Sequence, residues 1–378
     1  MKQYVRIIIF SLTLFWSFIS LQAQSYQLTP AAKASVLTCG KGDALYSLFG
    51  HTALRIKDSV KGVDVVFNYG MFNFKTPNFY LKFIKGDLQY FVDYSSYNQF
   101  IYQYEVENRD VFEQELNFNA TQVQSLFDEL NASLFSSERF YTYKFIDKNC
   151  TTMVADKIDS VLGGKIITKK SNTDISYRAV LNPYLEYHFY EKLGINILFG
   201  HKTDIAATKL FLPLELFESL NKTKIDDKNL VKSSKIIVQQ NSDLVVKPWW
   251  NSLYTFVIIL FLVIMTNNSK VYLTYFFFLG LLGILLATIG LYSLHKEVLL
   301  NYNILLFNPL LLFLIYCYLK NNHKWFKFFC YTNIGCLVIY LVFLLNKVQF
   351  ITFLPLITTS FLILWRLYIK IIPAKTSR

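Results

Sequence analysis

Two residues in the first 150 have the types and settings of a thiol catalytic pair. His51 stands in the run LFGHTALRI at 48–56, and Cys150 in DKNCTTMVAD at 147–156. A thiol becomes a strong nucleophile once its proton is removed, and an imidazole within reach can remove it. Cys150 follows Asn149 and precedes an apolar stripe of Met153, Val154, Ile158 and Leu162. That spacing predicts a helix from about 149–150 to Leu162, ended by Gly163 and Gly164, with the thiol at its first turn. Unpaired N–H groups and the helix dipole favour a thiolate there. The same N–H groups could stabilise the oxyanion of a tetrahedral intermediate. His51 opens an alternating stretch, Thr52 to Ile56, which predicts a strand that holds the ring rigidly. The chemistry this suits is acyl transfer or hydrolysis.

The second ring nitrogen of His51 needs a polar partner to fix its tautomer. Asn68 and Asp64 on the next predicted strand are candidates, as is Asp43, and Asn68 is preferred. Tyr46 and Asn149 are candidates for oxyanion contact or positioning. His188 and His201 are alternative histidines. A cysteine on an apolar helix also serves as a small buried hydrophobe, so spacing alone leaves the pair open. The other cysteines are Cys39, Cys317, Cys330 and Cys336. A Cys39–Cys150 disulfide would suit an exported domain but would silence the nucleophile. No CxxC and no zinc-type cluster occurs, so no metal and no cofactor is expected.

The elements that must position these residues read as a mixed α+β domain. Ala53–Ile56 and Val63–Tyr69, joined by 57–62, predict a hairpin. A short helix is expected within 76–90, ahead of Gly86. Strands are expected at Tyr102–Val106, Val111–Leu116 and Tyr141–Ile146. Thr121–Leu134 predicts a helix capped by Asn119. From 171 to 248 the periodicity weakens, with helices expected near 183–192 and 213–221. This stretch either completes the domain or lies over a membrane.

Composition demands a second environment. Hydrophobic residues make up 53% of the 378 and charged residues 17%, fewer than a soluble domain normally carries. Five apolar stretches, roughly 252–267, 271–292, 302–319, 327–346 and 349–369, approach the length of a membrane span. Trp249 and Trp250 could extend the first as interfacial anchors. Asn308-Pro309 should disturb the third, with Asn308 turned to the protein interior. Residues 1–23 read as a signal peptide with a basic start at Lys2 and Arg6. The formal charge of +12 is concentrated in the last third, where 251–378 hold ten basic residues and one acidic. Lys270, Lys320, Lys324, Lys327 and the tail from Lys370 all fall on one side of the predicted spans. The positive-inside rule places that side, with the C-terminus, in the cytoplasm and the domain at 24–250 outside. His295, Glu297 and Asn303 then lie near the outer ends of two spans and, with Asn308, are candidate contacts for a lipid headgroup or a substrate. No basic tract interleaved with aromatics marks a nucleic-acid surface. The expected division is a signal peptide at 1–23, a catalytic domain at 24–170, a completing or membrane-proximal region at 171–250, and an all-α five-helix membrane domain at 251–378.

The order of histidine, then Asn-Cys, resembles the permuted NlpC/P60 and lecithin:retinol acyltransferase-like thiol enzymes. That resemblance implies a papain-like fold with an antiparallel sheet and packed helices. The strings LTCGKGD (37–43), LYSLFGHTALR (45–55), NYGMFNF (68–74) and PNFYLKF (77–83) resemble the periplasmic domain of the Bacteroidota lipoprotein N-acyltransferase family called Lnb. NYNILLFNPL (301–310) resembles its membrane domain. Lys148 stands where the pattern suggests an acidic residue, and its charge would stabilise a nearby thiolate. The resemblance implies transfer of a fatty acyl chain from a membrane glycerophospholipid to the α-amine of the diacylglyceryl-cysteine of a lipoprotein. It implies an inner-membrane protein whose partners are phospholipid donors and diacylated lipoproteins. Other readings of the same residues are a phospholipase, a cell-wall amidase or peptidase, and a non-enzymatic envelope binding protein.

Overall fold

A computed structural model describes residues 26–245 and 247–371, so the predicted signal peptide lies outside the described residues. Seven strands form one antiparallel sheet. They are β1 (Lys33–Cys39), β2 (His51–Asp58), β3 (Val63–Met71), β4 (Gln89–Ser96), β5 (Val111–Leu116), β6 (Phe140–Thr142) and β9 (Val231–Val238), in the order β6-β4-β3-β2-β1-β5-β9. A two-residue-strand hairpin, β7 (Lys224–Ile225) and β8 (Lys228–Asn229), stands apart. The helices of this half are α1 (Phe79–Lys85), α2 (Tyr97–Val106), α3 (Ala120–Phe135), α4 (Cys150–Leu162), α5 (Tyr177–Leu181), α6 (Phe189–Leu198) and α7 (Pro213–Asn221).

The central strands are apolar on both faces because both are covered. On one face Val36, Leu54, Ile56, Phe67 and Tyr69 pack with Leu126 and Leu130 of α3 and Val154 and Ile158 of α4. On the other, Leu37, Cys39, Ala53 and Val66 pack with Phe100, Ile101 and Tyr104 of α2. Charges that remain inside are ion-paired or, like Asp58 and Asp159, hydrogen-bonded by backbone N–H groups. Arg55, buried beside the Tyr97 ring, binds Asp64 at 2.7 Å and Glu113 at 2.9 Å.

Tyr102–Val106, expected as a strand, belongs instead to α2. Ser96 caps that helix with a box closed by Gln99, and Phe100 and Tyr104 share its buried face at i,i+4 spacing. The expected strand at Tyr141–Ile146 ends at Thr142, where Lys144 and Lys148 bridge a turn leading into α4. The helix near Thr121 carries the predicted Asn119 cap. β9 pairs with β5, so the region after 171 supplies an edge of the same sheet.

The second half is helical: α8 (Leu253–Met265), α9 (Ser269–Tyr292), α10 (Leu310–Leu319), α11 (His323–Leu344) and α12 (Phe350–Ile371). Four segments are long and apolar enough to cross a membrane, 269–292, 296–319, 323–344 and 350–371, where the sequence predicts five. The shortfall is α8, which has 13 residues. At 1.5 Å per residue it reaches only about 20 Å of a core roughly 30 Å thick. As expected, the third stretch is not one unbroken helix: α10 starts just after Pro309, and Asn308 Oδ1 accepts from the Leu310 N–H at 3.0 Å. Asn308 is buried in the protein interior. Gly283 of α9 meets the Phe307 carbonyl so closely that a Cβ there would lie 1.9 Å from the oxygen.

A buried polar knot joins the two halves. Arg178 on α5 donates to Asp204 at 2.8 Å, to Asn196 Oδ1 at 2.8 Å and to the Phe199 carbonyl at 2.8 Å. Tyr302 donates to Asp204 at 2.5 Å. The Asn303 amide donates to the Asn196 carbonyl at 2.8 Å and accepts from Tyr340 of α11 at 2.7 Å. These side chains occupy the end of the bundle beside the sheet domain. Arg366 and Lys370 bond carbonyls at Ile264 and Asn267 at the other end.

Candidate active site

Sheet register brings the first partner to His51. Asn68 on β3 stands opposite Ala53, two residues from His51 and on the same face. The His51 Nε2 lies 3.3 Å from Asn68 Oδ1. A carboxamide oxygen only accepts, so Nε2 carries the hydrogen and Nδ1 keeps its lone pair. Asp64 is held by Arg55 and is not brought to the ring. Asp43, exposed, faces His188 at 3.7 Å instead.

Cys150 begins α4, which covers the opposite face of the sheet. Thr52 and Thr151, neighbours of the two residues, meet through their hydroxyls at 3.3 Å. His51 and Cys150 come together at Gly70, where β3 bulges and φ is +103°. A Cβ on Gly70 would lie 3.5 Å from Cys150 Cβ, 3.6 Å from His51 Cε1 and 3.9 Å from the Tyr141 hydroxyl. The three side chains therefore converge on the space that the missing Cβ leaves. Cys150 and Cys39 are both free thiols.

Burial governs the electrostatics. It lowers the His51 pKa to about 4, helped by the Arg109 charge and opposed by the Asn68 hydrogen bond. It also pushes the Cys150 thiol up, against hydrogen bonds from the Thr52 backbone and from Thr151 that favour the thiolate. The resting pair is a neutral thiol and a neutral imidazole, the form in which the ring can act as base. Cys39, across the ladder from His51, is pushed to about 12 and is an inert core thiol.

Asn149 is consumed by structure. Its Oδ1 caps α4 by accepting from Thr151 and Thr152 N–H at 3.0 and 3.1 Å, and its amide donates to the Phe145 and Phe211 carbonyls at 2.8 and 2.9 Å. No donor is left for an oxyanion. Tyr46 is exposed and lies edge-on to Phe72 and Phe74. Tyr141 is the residue that sequence reasoning missed. Its hydroxyl is buried and has no hydrogen-bond partner among the described residues. Lys148 places its ammonium 5.6 Å over the Tyr141 ring.

His295, Glu297 and Asn303 are buried within the protein rather than open to a headgroup. His295 Nε2 lies 3.0 Å from the Phe83 carbonyl, and Glu297 accepts from the Ile146 N–H at 3.2 Å. Asn303 belongs to the polar knot. His201 lies in the same seam, its N–H donating to the Leu300 carbonyl.

The fold and these residues define a membrane protein with an antiparallel α+β domain that carries a cysteine–histidine–asparagine cluster. Residues 21–183 match the family model of the Lnb N-terminal periplasmic domain, and residues 239–377 match that of the Lnb transmembrane domain. The chain belongs to the Lnb family. No curated protein and no solved structure matches it.

Proposed function

We propose that this chain is a lipoprotein N-acyltransferase that uses Cys150 as its nucleophile. Lnb membership suggests lipoprotein maturation by an acyltransferase in the inner membrane. The single observation that carries the mechanism is the convergence of Cys150, His51 and Tyr141 on Gly70. Nδ1 of His51 takes the thiol proton, and the sulfur attacks the ester carbonyl of a membrane glycerophospholipid. The Tyr141 hydroxyl, which burial keeps protonated, donates to the oxyanion. The imidazolium returns its proton to the departing lysolipid oxygen, leaving an acyl thioester. The α-amine of a diacylglyceryl-cysteine then attacks the thioester, His51 takes a proton from that amine, and the thiol is regenerated. The basic residues at the far end of the bundle support a cytoplasmic C-terminus and a domain outside.

The test is complementation in a strain lacking its own N-acyltransferase, read by the mass of lipoprotein N-terminal peptides. A third acyl chain is expected with the wild-type chain and its loss with Cys150→Ser or His51→Ala at equal membrane levels. Full acylation by Cys150→Ser would overturn the assignment.

A further inference from the structure

α1 (Phe79–Lys85) has seven residues and buries none of them. Tyr80 is 72% exposed and Leu81 57%, while Phe83 and Ile84 are also exposed. A helix this short does not persist alone in water, where about 12–15 residues are marginal. Its C-terminal turn is held by the residues that follow the spanning helix α9. Ser293 Oγ donates to the Ile84 carbonyl at 2.7 Å, the Leu294 N–H to Lys85 at 2.7 Å, and His295 approaches the Phe83 carbonyl at 3.0 Å. Gly86, at φ +75°, admits the His295 ring, which a Cβ would meet at 3.0 Å. The apolar side chains of α1 therefore continue the exposed surface of Leu291, Tyr292 and Leu294 at the end of a membrane span. Lys85 lies 5.9 Å from the Tyr292 ring, suiting a stem in hydrocarbon and a charge at the boundary.

Aromatic contacts run inward from α1. Phe79 lies 5.8 Å from Phe72, Phe72 lies 5.1 Å from Tyr90, and Tyr90 stacks on Tyr143 at 4.4 Å. Phe72, Phe79, Tyr143 and Cys150 all pack against the same core.

We infer that α1 is seated in the bilayer leaflet on the domain's side, with Tyr80, Leu81 and Ile84 among phospholipid acyl chains. The helix and the aromatic band behind it guide an acyl chain from the bilayer to Cys150, a role that rests on the acyltransferase reading. The seat itself does not depend on that reading, because continuity with the α9 surface carries it.

The full chain is reconstituted in phosphatidylethanolamine–phosphatidylglycerol vesicles containing a trace of phosphatidylcholine with a diazirine in one acyl chain. After irradiation, adducts are mapped by peptide mass. Adducts on residues 79–85 as well as on the spans are expected. Adducts on the spans with none on 79–85 overturn the seat. Leu81→Glu with Ile84→Glu is expected to remove the 79–85 adducts while span adducts persist. Acyl transfer should fall at least about tenfold, since burying one such side chain is worth that order in partition. Labelling in a chain that shows no acyl transfer would refute the enzyme reading and leave the seat standing.

Discussion

The Nε2 of His51 and the Oδ1 of Asn68 lie 3.3 Å apart across two neighbouring strands, which fixes which ring nitrogen is basic. Asn68→Ala removes the acceptor and frees the ring to take either tautomer. We expect kcat to fall up to about tenfold, the worth of one hydrogen bond, with KM little changed. Asn68→Asp keeps an acceptor and adds a negative charge, so the His51 pKa rises and the acid limb of the rate profile moves to higher pH.

Because burial holds His51 near 4, the proposed base stays unprotonated well below its ordinary 6.5. The acid limb of kcat/KM in the free enzyme should fall near 4. Stability follows the same difference. Between 6.5 and 4 the unfolded chain binds a proton that the folded protein refuses, so stability is lost as pH drops through that window. Thermal unfolding of His51→Gln should lack that part of the pH slope.

Gly70→Ala puts a methyl group against Cys150 and His51 at a positive φ. The strain costs about 1–3 kcal/mol, and activity should fall further than stability explains. Gly62→Ala is the control, since Gly62 has φ +69° and nothing within 4 Å of its added Cβ. It should lower the melting temperature and leave activity intact.

Asn149→Ala removes a helix cap worth about 1 kcal/mol and leaves two carbonyls without their donor, at roughly 1–3 kcal/mol each where burial is complete. A fall in melting temperature together with lost activity is expected. Asn149→Asp keeps the cap but turns an anionic oxygen toward the Phe145 and Phe211 carbonyls, so its melting temperature should fall at least as far as that of Asn149→Ala.

Arg178→Met takes the guanidinium from the buried Asp204 carboxylate, leaving it Tyr302 and, at 4.0 Å, Lys347, both from the other half of the chain. Breaking a buried pair costs about 3–5 kcal/mol. Unfolding followed in detergent should show a strongly destabilised protein, and Arg178→Met with Asp204→Asn should recover part of the loss.

The elements nearest the chemistry were legible because their signals are local. Asn119 and Asn149 each precede an apolar stripe, and the alternation after His51 is that of a strand. Asn68 was legible from hairpin pairing. Tyr102–Val106 misled because aromatic residues suit either state, and the Ser96–Gln99 capping box decides it. Tyr141 carried no signal among 26 tyrosines, since its neighbourhood with Gly70 arises only when β6 pairs with β4. His295 and Glu297 looked available for a ligand because a sequence does not reveal which loops dock.

The pairing of β9 with β5 sets a timetable for biogenesis. The edge of β5 stays open from Leu116 until Val231–Val238 has been made, and α8 begins soon afterwards at Leu253. A growing chain therefore closes its sheet only as α8, the first membrane-half helix among the described residues, is emerging. A fragment cut near residue 183 would keep every residue of the Cys150–His51–Asn68 cluster and present an unprotected strand to its neighbours.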